Sequence, residues 1–147
     1  KAVTILAACE LGKRRQASDI TKRPNLDSAP AIYNSMYPKV QDKDVEEAWI
    51  LLMNQKLDLI EAKCISHGGI TGTAIDVRII LKEALLRNAT AIALCHNHPS
   101  GIPRPSREDD NITNCLKKAA DTMHIYFVDH VIVAQQHFYS YREEGRI

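Results

Sequence analysis

Residues 94–110 read "LCHNHPSGIPRPSREDD", and the rest of the chain is best read outward from them. "ATAIALC", residues 89–95, is short and apolar, the pattern of a strand buried on both faces. His96 and His98 fall where that strand ends. In extended chain, residues two apart point to one face with Cα atoms roughly 6.5–7 Å apart, so two imidazoles can converge on one ion at about 2.0–2.1 Å from each nitrogen. Pro99, Gly101, Pro103 and Pro105 stiffen the loop, and Gly101 allows an unusual backbone angle. Ser106 follows Pro105, with Asp109 three residues on, the spacing of a capping box. "SREDDNITNCLKKAADTMH" is therefore predicted to be a helix, and its dipole favours an ionised Asp109 in the first turn.

Upstream, "DVRIILKEALLRN" is an amphipathic helix with Asp76 placed to cap it and Asn88 to end it. "EEAWILLMN" and "QKLDLIEAKCIS" form a β-hairpin turning near Asn54–Lys56. "SHGGITGTAID" is a glycine-rich loop without the GxxxxGK[ST] pattern of a phosphate cradle. "IYFVDHVIVAQQHFYSY" supplies two or three strands turning at the glutamines. This order predicts a three-layer α/β/α sandwich with a mixed sheet and one long helix on each side. "AVTILAACELGKRRQ" reads as a helix, and the proline-containing segment after it as a linker with a short helix near Ala29–Tyr37. The expected division is a helical arm and linker over 1–40 and one domain over 41–147.

At 147 residues, 45% hydrophobic and 25% charged, the composition is that of a soluble globular chain, and a net charge of +1 imposes no nucleic acid or membrane partner. The first 23 residues carry six basic side chains against Glu10 and Asp19. That patch could touch phosphates, although a solvated helix face has the same composition. No apolar run has the length of a membrane span. Cys9, Cys64, Cys95 and Cys115 are scattered without a CxxC pair, which fits reduced thiols and a cytoplasmic location. A chain that begins at Lys1 reads as a piece of a longer protein.

Two histidines and one carboxylate with an open fourth position are the ligand set of a catalytic zinc site, so His96, His98 and Asp109 are the candidate metal ligands. Ser106 can accept from a helix N–H while its own O–H stays free to stabilise an oxyanion. An isolated HxH pair or an isolated Ser-x-x-Asp would be a polar loop and a helix start. Their combination on a buried strand end and a capped acidic turn is what points to chemistry. Cys95 alternates away from His96 and reads as a buried structural thiol. Asp110 is turned by about 100° from Asp109 on the helix. His130, after Asp129 between two apolar strand halves, reads either as a neighbour of the site or as a structural hydrogen-bonding residue.

The segment "HNHPSGIPRPSRED" resembles the JAMM metalloprotease signature, with His96, His98, Ser106 and Asp109 in its four defining positions. Within that superfamily the chain is similar to the RadC-like proteins long labelled as DNA repair proteins, through "KEALLRNATAIALCHNHPSG", "VDHVIV", "YSYREEGRI" and "ELGKRR". One departure is that the family's His-Pro-Arg triplet before the first sandwich helix reads "DVR" here, at Asp76–Arg78. The resemblance implies the MPN fold, related to the cytidine deaminases. It implies zinc on His96, His98 and Asp109, Ser106 steadying an oxyanion, and a glutamate from an early strand as general base. In the family that glutamate precedes the apolar strand by a spacing that falls on Glu46. Glu47, on the other face of the strand, is the runner-up, and Glu61 and Glu83 are weaker candidates. The function implied is a zinc-dependent hydrolase of peptide or isopeptide bonds acting on a protein or peptide substrate. The alternatives are a DNA-associated repair factor, drawing on the basic arm, and a non-catalytic MPN scaffold.

Overall fold

A computed structural model describes residues 3–5, 23–68 and 75–147. Residues 3–5 are helical; the rest of the expected N-terminal helix, the basic cluster Lys13, Arg14 and Arg15 included, lies outside the described residues. The main elements are α1 (Ala29–Val40), β1 (Glu47–Met53), β2 (Leu59–His67), α2 (Val77–Leu86), β3 (Ala91–Asn97), α3 (Arg107–Thr122), β4 (Tyr126–Ala134) and β5 (His137–Ser140). The strands form one sheet in the order β2-β1-β3-β4-β5, with β3 and β4 parallel and the other pairs antiparallel. The mixed sheet and α/β class agree with the sequence pattern.

The helices are distributed differently from expectation. The two helices expected on opposite sides, α2 and α3, lie on one face, where Ile80, Ala84, Leu116 and Ala120 pack with Ile50, Leu52, Ile92 and Leu94. The other face is covered by α1, whose Ala29, Ile32, Met36 and Val40 pack with Leu51, Met53, Ala93, Cys95, Val131 and Val133. Even-numbered residues of β1 and β3 thus face α2 and α3, and odd-numbered ones face α1, as the pleat requires. Burial on both sides is why β1 and β3 read as continuous apolar runs rather than alternating ones.

α1 sits inside the segment expected to be arm and linker. It runs through Pro38 and ends at Val40, past the expected Tyr37. Pro38 lies in the last turn, where the missing N–H removes one helical bond, and the buried Val40 gains core contact in exchange. Just before the helix, the backbone of residues 24–26 pairs with the β1–β2 turn, through Leu26 N–H to the Leu57 carbonyl (2.9 Å) and Leu59 N–H to the Pro24 carbonyl (2.9 Å). That turn closes on the Asn54 side chain, whose Oδ1 accepts from the N–H groups of Lys56 and Asp58. α2 starts on the Asp76 cap, and Asn88 follows its end with a left-handed φ of 51°.

Candidate metal centre

β3 ends between β1 and β4, and the His98 N–H extends the ladder by donating to the Val133 carbonyl at 2.8 Å. Ala48 is paired with His96, so the His96 side chain shares the α2/α3 face with Ile50 and Leu52. The loop then returns through Gly101, whose φ of 77° is the left-handed value that glycine tolerates. It leads into α3 at a complete capping box. Ser106 Oγ accepts from the Asp109 N–H (3.1 Å), and Asp109 Oδ2 accepts from the Ser106 N–H (2.8 Å). The cap fixes Asp109 opposite the histidines. His96 Nε2 is 3.0 Å from His98 Nε2 and 3.2 Å from Asp109 Oδ1, and His98 Nε2 is 3.7 Å from Asp109 Oδ2.

The proton positions on these rings follow from counting donors and acceptors. Thr113 Oγ1 is 2.6 Å from the Asp109 carbonyl, which can only accept, so the threonine proton points there. Its lone pair must then accept from His130 Nδ1, 2.6 Å away. His130 is fully buried, and burial foremost, with His96 beside it, pushes its pKa well below the ordinary value and keeps it neutral. Its Nε2 is consequently bare and accepts from His96 Nδ1 at 2.8 Å. That places the proton of a neutral His96 on Nδ1 and leaves its Nε2 lone pair facing Asp109. His98 is set the same way by a carbonyl, its Nδ1 donating to Ile102 at 2.8 Å. Second partners of this kind orient metal-ligating histidines.

Two bare nitrogens and a carboxylate thus converge, with one ligand atom from each residue lying within 4.8 Å of the others. Lone pairs facing one another at such separations repel unless positive charge lies between them. The donor set therefore fits a divalent cation of nitrogen and oxygen preference. The same demand shows in the titration of the groups. When no ion is bound a ring proton can supply that charge: burial opposes ionisation of Asp109, but hydrogen bonds from His96 and His98 rings that carry an Nε2 proton outweigh it and hold the carboxyl far below the usual carboxylate range. Burial likewise opposes charge on His98, and the contacts with Asp109 and Ile102 and the charge of Glu46 together raise its pKa.

Glu46 lies just before β1 and, by the pleat, on the face of Ala48 and His96. Its backbone is clamped from two sides. The Asn97 side chain, buried between the two histidines in sequence, accepts from the Glu47 N–H (2.7 Å) and donates to the Val45 carbonyl (3.0 Å). Gly68 N–H donates to the Glu46 carbonyl at 2.7 Å, and a Cβ at Gly68 would stand 2.9 Å from that oxygen, so a side chain there would displace Glu46. Glu47 turns to the opposite face, its carboxylate buried and accepting from Trp49 Nε1 at 3.0 Å. Glu61 pairs with Arg87, and Glu83 with Lys63 at 2.8 Å, both on the β2–α2 side of the domain.

Ser106 differs in one respect from expectation. Its hydroxyl proton is donated to Asp109 Oδ2 at 2.7 Å and is not free in this arrangement. Cys95 is fully buried in the α1-side core, where burial pushes its thiol pKa far up. Asp110 points to the C-terminal segment, accepting from Tyr141 (2.8 Å) and pairing with Arg146 (2.7 Å). Tyr141 stacks on the His130 ring, with centroids 4.9 Å apart and planes within 3°. A cleft of about 540 Å³ opens beside His98, lined among others by Lys43, Asp44, Asn97, Pro99 and Gln135.

Sequence reasoning undervalued Asn97, Thr113 and Gly68. Thr113 was findable, because four residues separate it from Asp109 on one helix face. Asn97 carried no signal beyond sitting between two histidines.

Among known families, the chain matches the RadC-like JAB domain over residues 26–146. It is 40% identical over 145 residues to a UPF0758 protein of Flavobacterium johnsoniae, covering 99% of this chain and 63% of the relative. A UPF0758 protein of Porphyromonas gingivalis is 37% identical over 146 residues, with 99% and 64% covered. One from Thermotoga maritima is 36% identical over 149 residues, with 100% and 66% covered. The chain thus spans just under two thirds of the length of the curated relatives it matches. Among the described residues no helix is long and apolar enough to cross a membrane.

Proposed function

The chain belongs to the RadC-like JAB domain family, and from that footing we propose that it is a zinc-dependent hydrolase of peptide or isopeptide bonds. The observation that carries this reading is the convergence of the bare His96 Nε2, the bare His98 Nε2 and the Asp109 carboxylate on one point. These three residues would hold the ion. When bound, zinc would acidify a water molecule and polarise a carbonyl oxygen.

The protein's own groups supply the rest. Glu46, on the face of His96 and with its backbone clamped by Asn97 and Gly68, takes a proton from the attacking water and passes it to the leaving amine. Ser106 donates its hydroxyl to the oxyanion that forms on the substrate carbonyl, for which it must turn from Asp109 Oδ2. The peptide substrate enters along the cleft beside His98, whose Lys43 and Asp44 side chains meet the polar substrate backbone.

The test is zinc stoichiometry and hydrolysis of unstructured peptides and lysine-linked isopeptides by the same preparation. Zinc-loaded protein is expected to cleave at least one of these and to lose cleavage on chelation. His98→Ala is expected to lose both tight zinc at this centre and cleavage. Cleavage unaffected by His98→Ala would sink the reading.

A further inference from the structure

The other face of the same sheet corner holds a second convergence of donor atoms. β1 and β2 pair antiparallel, with Glu47 opposite His67 and Trp49 opposite Cys64. The register slips between Ala48 and Trp49, so one extra residue of β2 is left in the ladder. In a regular strand Cys64 and His67, three residues apart, would point to opposite faces. The bulge turns both toward Glu47, and Glu47, Cys64 and His67 each bring one ligand atom within 4.8 Å of the others.

Glu47 is the unexplained member. Its side chain is 1% exposed. Oε2 is satisfied by Trp49 Nε1, but Oε1 is buried with no hydrogen-bond partner among the described residues. Lys43 Nζ lies at 3.2 Å and His67 Nδ1 at 3.3 Å, and neither makes that bond. A buried carboxylate oxygen left without a hydrogen bond is costly and rare. Both neighbours are on largely solvent-accessible side chains, 43% exposed for Lys43 and 68% for His67, so either can rearrange.

We propose that Glu47, Cys64 and His67 form a second metal site, taking a divalent cation of the zinc class. One oxygen, one sulfur and one imidazole nitrogen suit a borderline-soft ion and not magnesium or calcium, which take oxygen ligands. On binding, the Cys64 thiol, which now contacts the Ser66 carbonyl at 3.4 Å, releases its proton to solvent, and the Lys43 ammonium swings outward. The ion satisfies Oε1 and ties β1 to β2 one residue from Glu46. This inference does not depend on the proposed hydrolase activity.

Cobalt titration of the whole chain separates the two centres, because a cysteine ligand produces a near-ultraviolet sulfur-to-cobalt charge-transfer band and the His96, His98 and Asp109 centre contains no sulfur. The band is expected in the parent chain and, undiminished, in His98→Ala, whatever becomes of the first centre. Cys64→Ser is expected to abolish it, and Cys115→Ser to leave it intact. His67→Ala should raise the half-saturating cobalt concentration by about tenfold or more, the equivalent of about 1.4 kcal/mol. Absence of the band at saturating cobalt in His98→Ala, or a band that survives Cys64→Ser, would overturn the proposal.

Discussion

Glu46 and Glu47 are adjacent in the chain, and the pleat sends them to opposite faces of one sheet, into surroundings built on different terms. On the α2/α3 side the ring nitrogens of His96 and His98 are fixed by partners of the fold itself, His96 through a buried relay from Thr113 and His130 and His98 through the Ile102 carbonyl of the exposed loop. On the α1 side the carboxylate of Glu47 is buried, but the groups that answer it, Lys43 and His67, reach in from solvent. The first arrangement is pre-set and loses little freedom on receiving an ion. The second must rearrange. Rigid supporting contacts of the first kind are what hold reacting groups to the fraction of an ångström that catalysis needs.

The sharpest way to break this comparison is to remove each carboxylate's charge in turn. Glu46→Gln is expected to lower peptide hydrolysis by about 10²–10⁴-fold, the usual worth of a general base. Glu47→Gln should leave the rate within the same order of magnitude. Reversed results in a steady-state assay would exchange the roles of the two faces.

The relay is next in size. Thr113→Val keeps the shape and removes the acceptor for His130, which frees His130 and then His96 to change tautomer. Zinc affinity at the His96 centre is expected to fall by about 10–100-fold, as for other residues that orient metal ligands. Thr113→Ser should restore it, and nitrogen-15 spectra of the metal-free protein should show the His96 proton leaving Nδ1 only in the valine variant. Equal affinities for the two variants would mean that the threonine serves packing alone.

Asn97 belongs to both faces, since it holds the backbone on either side of Glu46. Asn97→Ala leaves the Glu47 N–H and the Val45 carbonyl without their partner and should cost about 2 kcal/mol in urea unfolding. The smallest effect is that of the cap. Ser106→Ala should destabilise α3 by about 1 kcal/mol, and its loss of hydrolysis should exceed what that destabilisation explains if the hydroxyl also meets the oxyanion. A loss of stability with an unchanged rate would leave Ser106 a cap.

Much of the centre was legible because its parts are local. His96 and His98 are two apart on a strand, and Ser106 and Asp109 three apart at a helix start, so backbone periodicity alone brings each pair to one side. α1 was undervalued because its two prolines and turn-forming neighbours read as linker. What holds it in place, the pairing of residues 24–26 with the β1–β2 turn and the apolar face of the sheet, is distant in sequence. The three layers hold, but the expected placement of α2 and α3 on opposite faces failed for a related reason. Local amphipathicity tells which side of a helix is buried, not which side of the sheet buries it.

By itself, then, the sequence determined the class of fold, the His96–His98 and Ser106–Asp109 pairings and the family, all of which rest on spacings of two to four residues or on patterns within single elements. Tertiary structure decided the rest. Strand register put Ala48 beside His96 and so Glu46 on the side of His96. The parallel pairing of β3 with β4 brought His130 to His96, and a bulge in β2 gathered Cys64 and His67 around Glu47. The physical reason is that a one-residue change of register reverses every side chain of a strand, and register is chosen by the packing of whole faces, not by any residue that the strand itself displays.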